Sequence, residues 1–80
     1  MTNVPWTVQI YVRLLNEGVD VWRPVEAEPL EDGCWRVLEQ PYDQDIETWE
    51  FVPGREVVCD LVDWANGGRL VAVREHRHSP

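Results

Sequence analysis

The serine, cysteine, histidine and lysine side chains that serve nucleophilic or histidine-based catalysis are few in this 80-residue chain, and most lie at its end. Ser79 is the only serine, His76 and His78 are the only histidines, and lysine is absent. Covalent catalysis needs a nucleophile beside a base, and the remaining candidates, Cys34 and Cys59, have no histidine near them in the sequence. The sequence therefore argues against nucleophilic or histidine-based catalysis, and we expect a protein that is not an enzyme.

A run of alternating carboxylates is the second arrangement that could do chemistry. Asp43, Asp45 and Glu47 stand where a calcium-binding EF-hand loop places its first three side-chain ligands. Thr48 occupies the position of the required glycine, and Gly54 that of the bidentate acid, so the motif fails. Neither the cysteines nor the histidines have zinc-site spacing. No metal and no cofactor are predicted, and the run is expected to be a solvated acidic loop.

The two cysteines lie in apolar surroundings, Cys34 beside Trp35 and Cys59 beside Val58. Buried cysteine behaves as a small hydrophobic residue, so we expect two buried free thiols. A disulfide between them stays open as an alternative, because spacing alone does not decide it.

Negative charge is concentrated in the middle of the chain, whose formal net charge is −8 at pH 7. Ten acidic residues lie between positions 31 and 63, where only Arg36 and Arg55 oppose them. Outside that span, five acidic residues balance five arginines. Nucleic-acid binding needs clustered basic residues. The charge pattern therefore argues against a nucleic-acid partner and favours a protein partner with a basic surface.

The elements that must position these residues are short β-strands. Residues 7–14 alternate, with Val8, Ile10, Val12 and Leu14 on one face, which predicts a half-buried strand. A turn at residues 16–18 leads to a second strand over residues 19–28, in which strict alternation would place Trp22 outward and Arg23 inward. Pro24 cannot donate a ladder hydrogen bond, so this stretch is predicted to be an edge or a bulge.

Further short runs follow at regular spacing along the chain. Strands are predicted at residues 34–38, 48–52, 56–62 and 70–73, with turns at 31–33, 53–54 and 66–68 and a polar loop at 39–47. No stretch has the periodicity of an amphipathic helix. Five tryptophans are spread over the chain, at positions 6, 22, 35, 49 and 64. Large rings on short strands indicate an all-β fold, a small five- to six-stranded antiparallel SH3-like barrel.

The length of the chain is typical of one domain. We expect a single SH3-like barrel over residues 1–75 and a flexible C-terminal tail over residues 76–80. No apolar run approaches the roughly 18 residues of a transmembrane helix, and the first residues lack the pattern of a signal peptide. A cytoplasmic location is the expectation that follows.

Several of these runs together resemble a known pattern. The segment VRLLNEGVDVWRPVEA from Val12 to Ala27, followed by WEF from Trp49 and PGREV from Pro53, is similar to a group of small uncharacterised bacterial proteins that share VRLL-x-EG-x-DVWRPV, W-E-F and PG-x-x-V elements. The resemblance covers about residues 10–60 and implies neither an activity nor site residues. The strand order is also similar to SH3-like and Tudor-type barrels, and Tudor domains hold methylated cations in aromatic cages.

Two features are the main candidates for a contact surface. Trp22 beside Arg23 combines two residue types that are enriched at binding hot spots, although a bulge could instead admit the Trp22 ring to the core. The acidic loop carries Tyr42 and Trp49 next to its carboxylates, although it could instead be a solubilising face. The residues predicted to bind a protein partner are Trp22, Arg23, Tyr42, Asp43, Asp45, Glu47 and Trp49.

The sequence therefore predicts a non-enzymatic module that binds a basic protein or peptide through an acidic, aromatic-containing face. One alternative is a dedicated inhibitor, an immunity protein or phage-encoded antagonist, that masks the basic active site of an enzyme such as a nuclease. A second alternative is a small structural subunit of a larger assembly. Arg69, Arg74 and Arg77 give the C-terminal strand the opposite sign from the middle segment, so the chain is expected to be a monomer or a weak homo-oligomer.

Overall fold

The computed structural model describes residues 7–31, 33–64 and 67–76. The expectations for Trp6, for Asp32 and Asn66 in their turns, and for residues 77–80 of the tail lie outside the described residues. The part of the expected tail that is described, His76, donates its backbone N–H to the Glu56 carbonyl at 2.8 Å.

Five strands form one closed barrel, which confirms the predicted all-β class and is consistent with a small SH3-like fold. They are β1 (Val8–Leu14), β2 (Val21–Pro29), β3 (Trp35–Val37), β4 (Glu56–Trp64) and β5 (Gly67–Glu75). No helix in the described part of the chain is long and apolar enough to cross a bilayer.

The strands follow one another around the barrel in chain order. Each consecutive pair is antiparallel. Because the number of strands is odd, the first and last strands of such a meander run in the same direction. The barrel accordingly closes with a parallel β1–β5 contact, registered at Tyr11 and Val71. Parallel closure here is a consequence of strand count.

The interior is filled by alternate residues of the strands, as the period-two pattern of β1 predicted. Ile10, Val12 and Leu14 of β1 are all buried. The buried cluster also contains Val25, Ala27, Val37, Trp49, Phe51, Val57 and Ala72. Of the four described tryptophans, only Trp49 is fully buried, and Trp35 packs partly against the cluster. The other two, Trp22 and Trp64, lie outside that cluster.

The register of β2 decides between the two alternatives for the stretch around Pro24. The β1–β2 pairing runs without interruption, with Trp22 opposite Arg13 and Arg23 opposite Val12. A bulge at this point was therefore a wrong alternative. On its other side β2 pairs with β3 only from Ala27 onward, so Pro24, which is opposite Tyr11 of β1, has no described strand on the side away from β1. The edge alternative is confirmed, and it explains why a residue without an N–H is tolerated.

The bulge lies instead in β5. Val58 pairs with Arg74 and Cys59 pairs with Ala72, so the register passes over Val73. One extra residue on one strand is a β-bulge, which bends that strand and shifts its alternation. The bend helps five strands close on themselves.

A strand was predicted at residues 48–52. The predicted alternation of buried and exposed residues is confirmed, but the prediction of a hydrogen-bonded strand was wrong. Trp49 and Phe51 are buried while the residues between and beside them are exposed. The segment forms one isolated antiparallel bridge, Trp49 with Leu14. Leu15 N–H donates to the Thr48 carbonyl at 2.8 Å, and Glu50 N–H donates to the Arg13 carbonyl at 2.9 Å. The segment meets only the end of β1, so it forms no ladder of backbone hydrogen bonds there. The rings of Trp49 and Phe51 nevertheless point into the core.

The third strand is only three residues long, and beyond it a side chain provides hydrogen bonds to the backbone of β2. Beyond Val37, the Gln40 amide takes the place of a strand beside β2. Its Oε1 accepts the Glu26 N–H at 3.0 Å, and its Nε2 donates to the Glu26 carbonyl at 3.0 Å and to the Leu38 carbonyl at 2.8 Å. The Gln40 amide thereby satisfies the Glu26 N–H where the sheet would otherwise end, and it shares the Glu26 carbonyl with the Leu38 N–H, which donates to it at 3.1 Å.

A charged triad links the outer faces of the three central strands. Arg36 of β3 lies between Glu28 of β2 and Glu56 of β4 in the register. Its two terminal nitrogens are 2.8 Å from a carboxylate oxygen of each. The hydrogen bond to Glu56 raises the pKa of the Arg36 guanidinium. The triad joins β3 to both neighbours even though few ladder bonds do.

Replacing Gln40 tests the contribution of its amide. Gln40→Ala leaves the Glu26 N–H without its partner, while the Glu26 carbonyl keeps its hydrogen bond from the Leu38 N–H. Each lost hydrogen bond costs about 1 kcal/mol. We expect the free energy of unfolding in urea to fall by about 1–2 kcal/mol. Gln44→Ala, at an exposed glutamine four residues farther along the same connection, is the matched control. Equal stability of the two variants would contradict the role given to Gln40.

Candidate functional site

The predicted contact residues fall on two different faces of the barrel. Tyr42, Asp43, Asp45, Glu47 and Trp49 lie on the connection between β3 and β4, which crosses the end of the barrel. We call residues 39–50 of this connection the acidic segment. Arg23 joins it through Glu47, while Trp22 lies on the opposite face of β2, since neighbouring residues of a strand point to opposite sides.

Trp49 holds the acidic segment on the barrel. Its side chain is 3% exposed and belongs to the core cluster. Its indole Nε1–H donates to Glu47 Oε1 at 2.9 Å, and the same oxygen lies 3.5 Å from Arg23 Nε. A buried indole N–H needs a partner, and Glu47 supplies it. Trp49 is therefore an anchor of the site, and Glu47 and Arg23 cover it.

Tyr42 forms the aromatic surface above this anchor. Its ring stacks on Trp49, with centroids 4.0 Å apart and ring planes inclined by 23°. Tyr42 is partly exposed while Trp49 is not. A partner that contacts aromatic surface here would therefore meet Tyr42.

The carboxylates next to Tyr42 are presented by a tight turn. Asp43 Oδ1 accepts the Asp45 N–H at 2.9 Å. The Asp43 carbonyl accepts the N–H groups of Ile46 at 3.1 Å and Glu47 at 2.9 Å. Aspartate commonly initiates turns by bonding a backbone N–H two residues on. The turn leaves Asp45 exposed, and with it Ile46, whose side chain is 72% exposed.

A shallow groove of about 470 Å³ runs beside the Tyr42 ring. Its lining combines apolar residues with polar side chains that can accept hydrogen bonds. The lining residues are Glu39, Gln40, Pro41, Tyr42, Gln44, Val52 and Pro53. The groove thus offers apolar contact along its length and a carboxylate at one side.

Most carboxylates of the acidic segment have no cation near them in the described part of the chain. Ion pairs of the nearby arginines go elsewhere, Arg36 to Glu28 and Glu56, and Arg55 to Glu75. Within the acidic segment, the exposed carboxylates without a described arginine within 4.0 Å are Glu39, Asp43, Asp45 and Glu50. Their charge is directed at solvent.

Trp22 belongs to a second aromatic group, on the outer face of the sheet. Its ring lies 6.0 Å from that of Trp64, and Trp64 meets Tyr11 edge-on with centroids 5.0 Å apart. Val71, the registered neighbour of Tyr11, is buried although it is not part of the core cluster. These three rings thus pack against one another outside the core cluster. The alternation of the sequence already placed Tyr11 and Trp22 on the outward side of their strands. Nothing in the sequence indicated that Trp64 would contact both of them.

Neither cysteine forms a disulfide, as expected, but only Cys34 is fully buried. Cys59 is partly exposed and packs against the core. Burial, with the neighbouring Asp60 and Cys34, raises the pKa of the Cys59 thiol to about 12. A thiol reacts as its thiolate, so Cys59 is a poor nucleophile near neutral pH.

Within the described residues, no group of three or more His, Cys, Asp or Glu side chains is arranged to hold a metal ion. The arginines proposed for the basic strand, Arg69 and Arg74, both lie on β5, and Arg69 donates to the Gly68 carbonyl at 3.2 Å.

Comparison with known proteins gives no match: no family model, no curated protein and no solved structure is similar to this chain. The resemblance of residues 10–60 to a group of small bacterial proteins stays a prediction.

The raised pKa of Cys59 predicts slow alkylation. The folded chain keeps the Cys59 proton up to a pH of about 12, whereas the unfolded chain loses it near the ordinary pKa of 9.0. The stability that the protonated thiol contributes to the folded state is therefore fully present below pH 9.0 and is lost as pH rises toward about 12. In a Cys34→Ala background, iodoacetamide at pH about 9 should react with Cys59 at least about tenfold more slowly in the native state than in urea. Equal rates in the two states would show that Cys59 is not protected.

Proposed function

We propose that this chain is a non-enzymatic protein-binding module whose acidic segment engages a basic protein or peptide. The observation that carries the proposal is the Tyr42 ring, stacked on a buried Trp49 and surrounded by exposed carboxylates that no described arginine neutralises. Aromatic surface and negative charge at one place suit a cationic side chain.

The stack supports recognition of a cation in two ways. Arginine or lysine over the face of an aromatic ring gains about 0.5–1 kcal/mol at an exposed site. The ring of Tyr42 is held by Trp49, so little side-chain freedom is lost when a partner binds. The groove beside Tyr42 would receive the rest of an extended basic segment.

The carboxylates support the same proposal through long-range attraction. Complementary charge chiefly speeds encounter and weakens as salt screens it. Asp43 and Asp45 are fixed by the turn, and Trp49 fastens that turn to the barrel. Their placement therefore gives direction to the attraction in addition to strength.

Removing two of these charges tests the proposal. Asp43→Asn with Asp45→Asn keeps an acceptor oxygen at position 43 for the turn and removes two negative charges beside Tyr42. Exposed ion pairs contribute about 0.5 kcal/mol each, so capture of the partner from a cell extract, quantified by mass spectrometry, should weaken about fivefold.

Two comparisons accompany this experiment. Glu17→Gln with Glu31→Gln removes the same number of charges from exposed turns elsewhere and should leave capture unchanged. Tyr42→Leu keeps an apolar cover over Trp49 but removes the ring, and it should weaken capture as well. Recovery of the same partner, undiminished by the Asp43 and Asp45 substitutions, would refute the acidic face as the binding surface.

A further inference from the structure

One stretch of β4 has a described strand on one side only. β3 pairs with β4 at Glu56 and Val57, and the pairing stops there. Residues 60–64 pair with β5 on one side, and no described strand or loop gives them a backbone partner on the other. We call this stretch the β4 edge (residues 60–64). At about 3.3 Å per residue it is roughly 17 Å long.

The side chains of the β4 edge are unusual for an edge that only faces water. Leu61, its second residue, is 74% exposed. A Cβ built on Gly68 would come within 2.8 Å of Leu61 Cδ1, so the leucine side chain lies over a glycine that leaves room for it. Asp60 and Asp63 are exposed on either side of Leu61. Being three residues apart in a strand, they point to opposite faces of the sheet.

We propose that the β4 edge binds an extended segment of another protein by strand addition, and that this segment carries arginine or lysine on both of its faces. Backbone groups of an unpaired edge provide the hydrogen bonds of such an added strand, and side chains provide the selectivity. Leu61 supplies apolar contact, and Asp60 and Asp63 each meet a basic side chain of the added strand.

Charge selects this occupant over a second copy of the chain. Two copies with a net charge of −8 each repel one another. Two β4 edges side by side would also bring the Asp60 and Asp63 carboxylates of both copies to one seam, and like charges across a strand pair are destabilising. Charged residues on an edge are a known protection against self-pairing. A basic strand turns the same charges into attraction.

The site is separate from the acidic segment, so its test maps where a probe binds. The probe is a blocked nine-residue peptide of threonine and valine with two arginines three positions apart, and a peptide with glutamates in their place is its control. In a backbone-amide NMR titration, the arginine peptide should shift the resonances of residues 60–64 and slow hydrogen exchange there. The glutamate peptide should not.

Matched variants complete the test. Asp60→Asn with Asp63→Asn should weaken binding of the arginine peptide about fivefold, from about 0.5 kcal/mol per exposed ion pair. Glu17→Gln with Glu31→Gln should leave it unchanged. Shifts confined to the acidic segment and abolished by the Asp43 and Asp45 substitutions would overturn the β4 edge while leaving the proposed function intact. Shifts at residues 60–64 that grow with protein concentration alone would also overturn it, because the occupant would then be a second copy.

Discussion

The brevity of β3 is the constraint on which the rest of the structure depends. Three residues cannot pair with the full length of both β2 and β4, which have nine residues each. The barrel therefore needs another source of hydrogen bonds beside β2, another source of apolar volume at its end, and a way to tolerate an open edge on β4. The first two come from the connection that follows β3. The Leu38 N–H and the Gln40 amide supply the hydrogen bonds, and Trp49 and Phe51 supply the volume.

This solution also determines where the charges lie. The same connection that inserts Trp49 into the core has to carry its remaining residues on the outside, and those residues include exposed carboxylates. The segment is a defined surface because three kinds of contact hold it. They are the buried indole, backbone hydrogen bonds to Arg13 of β1 and to Leu15 just beyond it, and the Gln40 amide bonded to β2. One segment thus both fills the end of the core and forms the negatively charged aromatic face.

The sequence predicted the strands best where one face is buried and the other is wet. β1 alternates cleanly because the core determines every second residue, and its inward residues were identified correctly. Residues 48–52 alternate for the same reason, yet they form a single bridge, because burial pattern reports which side a residue faces and says nothing of what lies beside the backbone. The bulge at Val73 was also missed, since a register shift depends on the partner strand.

The candidate site was predictable in composition and unpredictable in geometry. Tyr42 and Trp49 were both expected near the acidic residues, but their stacking, and the burial of one beneath the other, depend on how the segment crosses the barrel. Trp22 was grouped with them because it is beside Arg23 in sequence. The uninterrupted register of β2 places Trp22 and Arg23 on opposite faces of the strand.

The central claim is that Trp49 anchors the acidic segment in the core, and hydrogen exchange of its indole N–H measures this most directly. The Nε1–H is bonded to Glu47 and the ring is 3% exposed. We expect this proton to exchange only as fast as global unfolding allows, together with the amides of β1. Exchange at the rate of a free indole, while β1 stays protected, would show that the segment detaches from the barrel and would contradict the account.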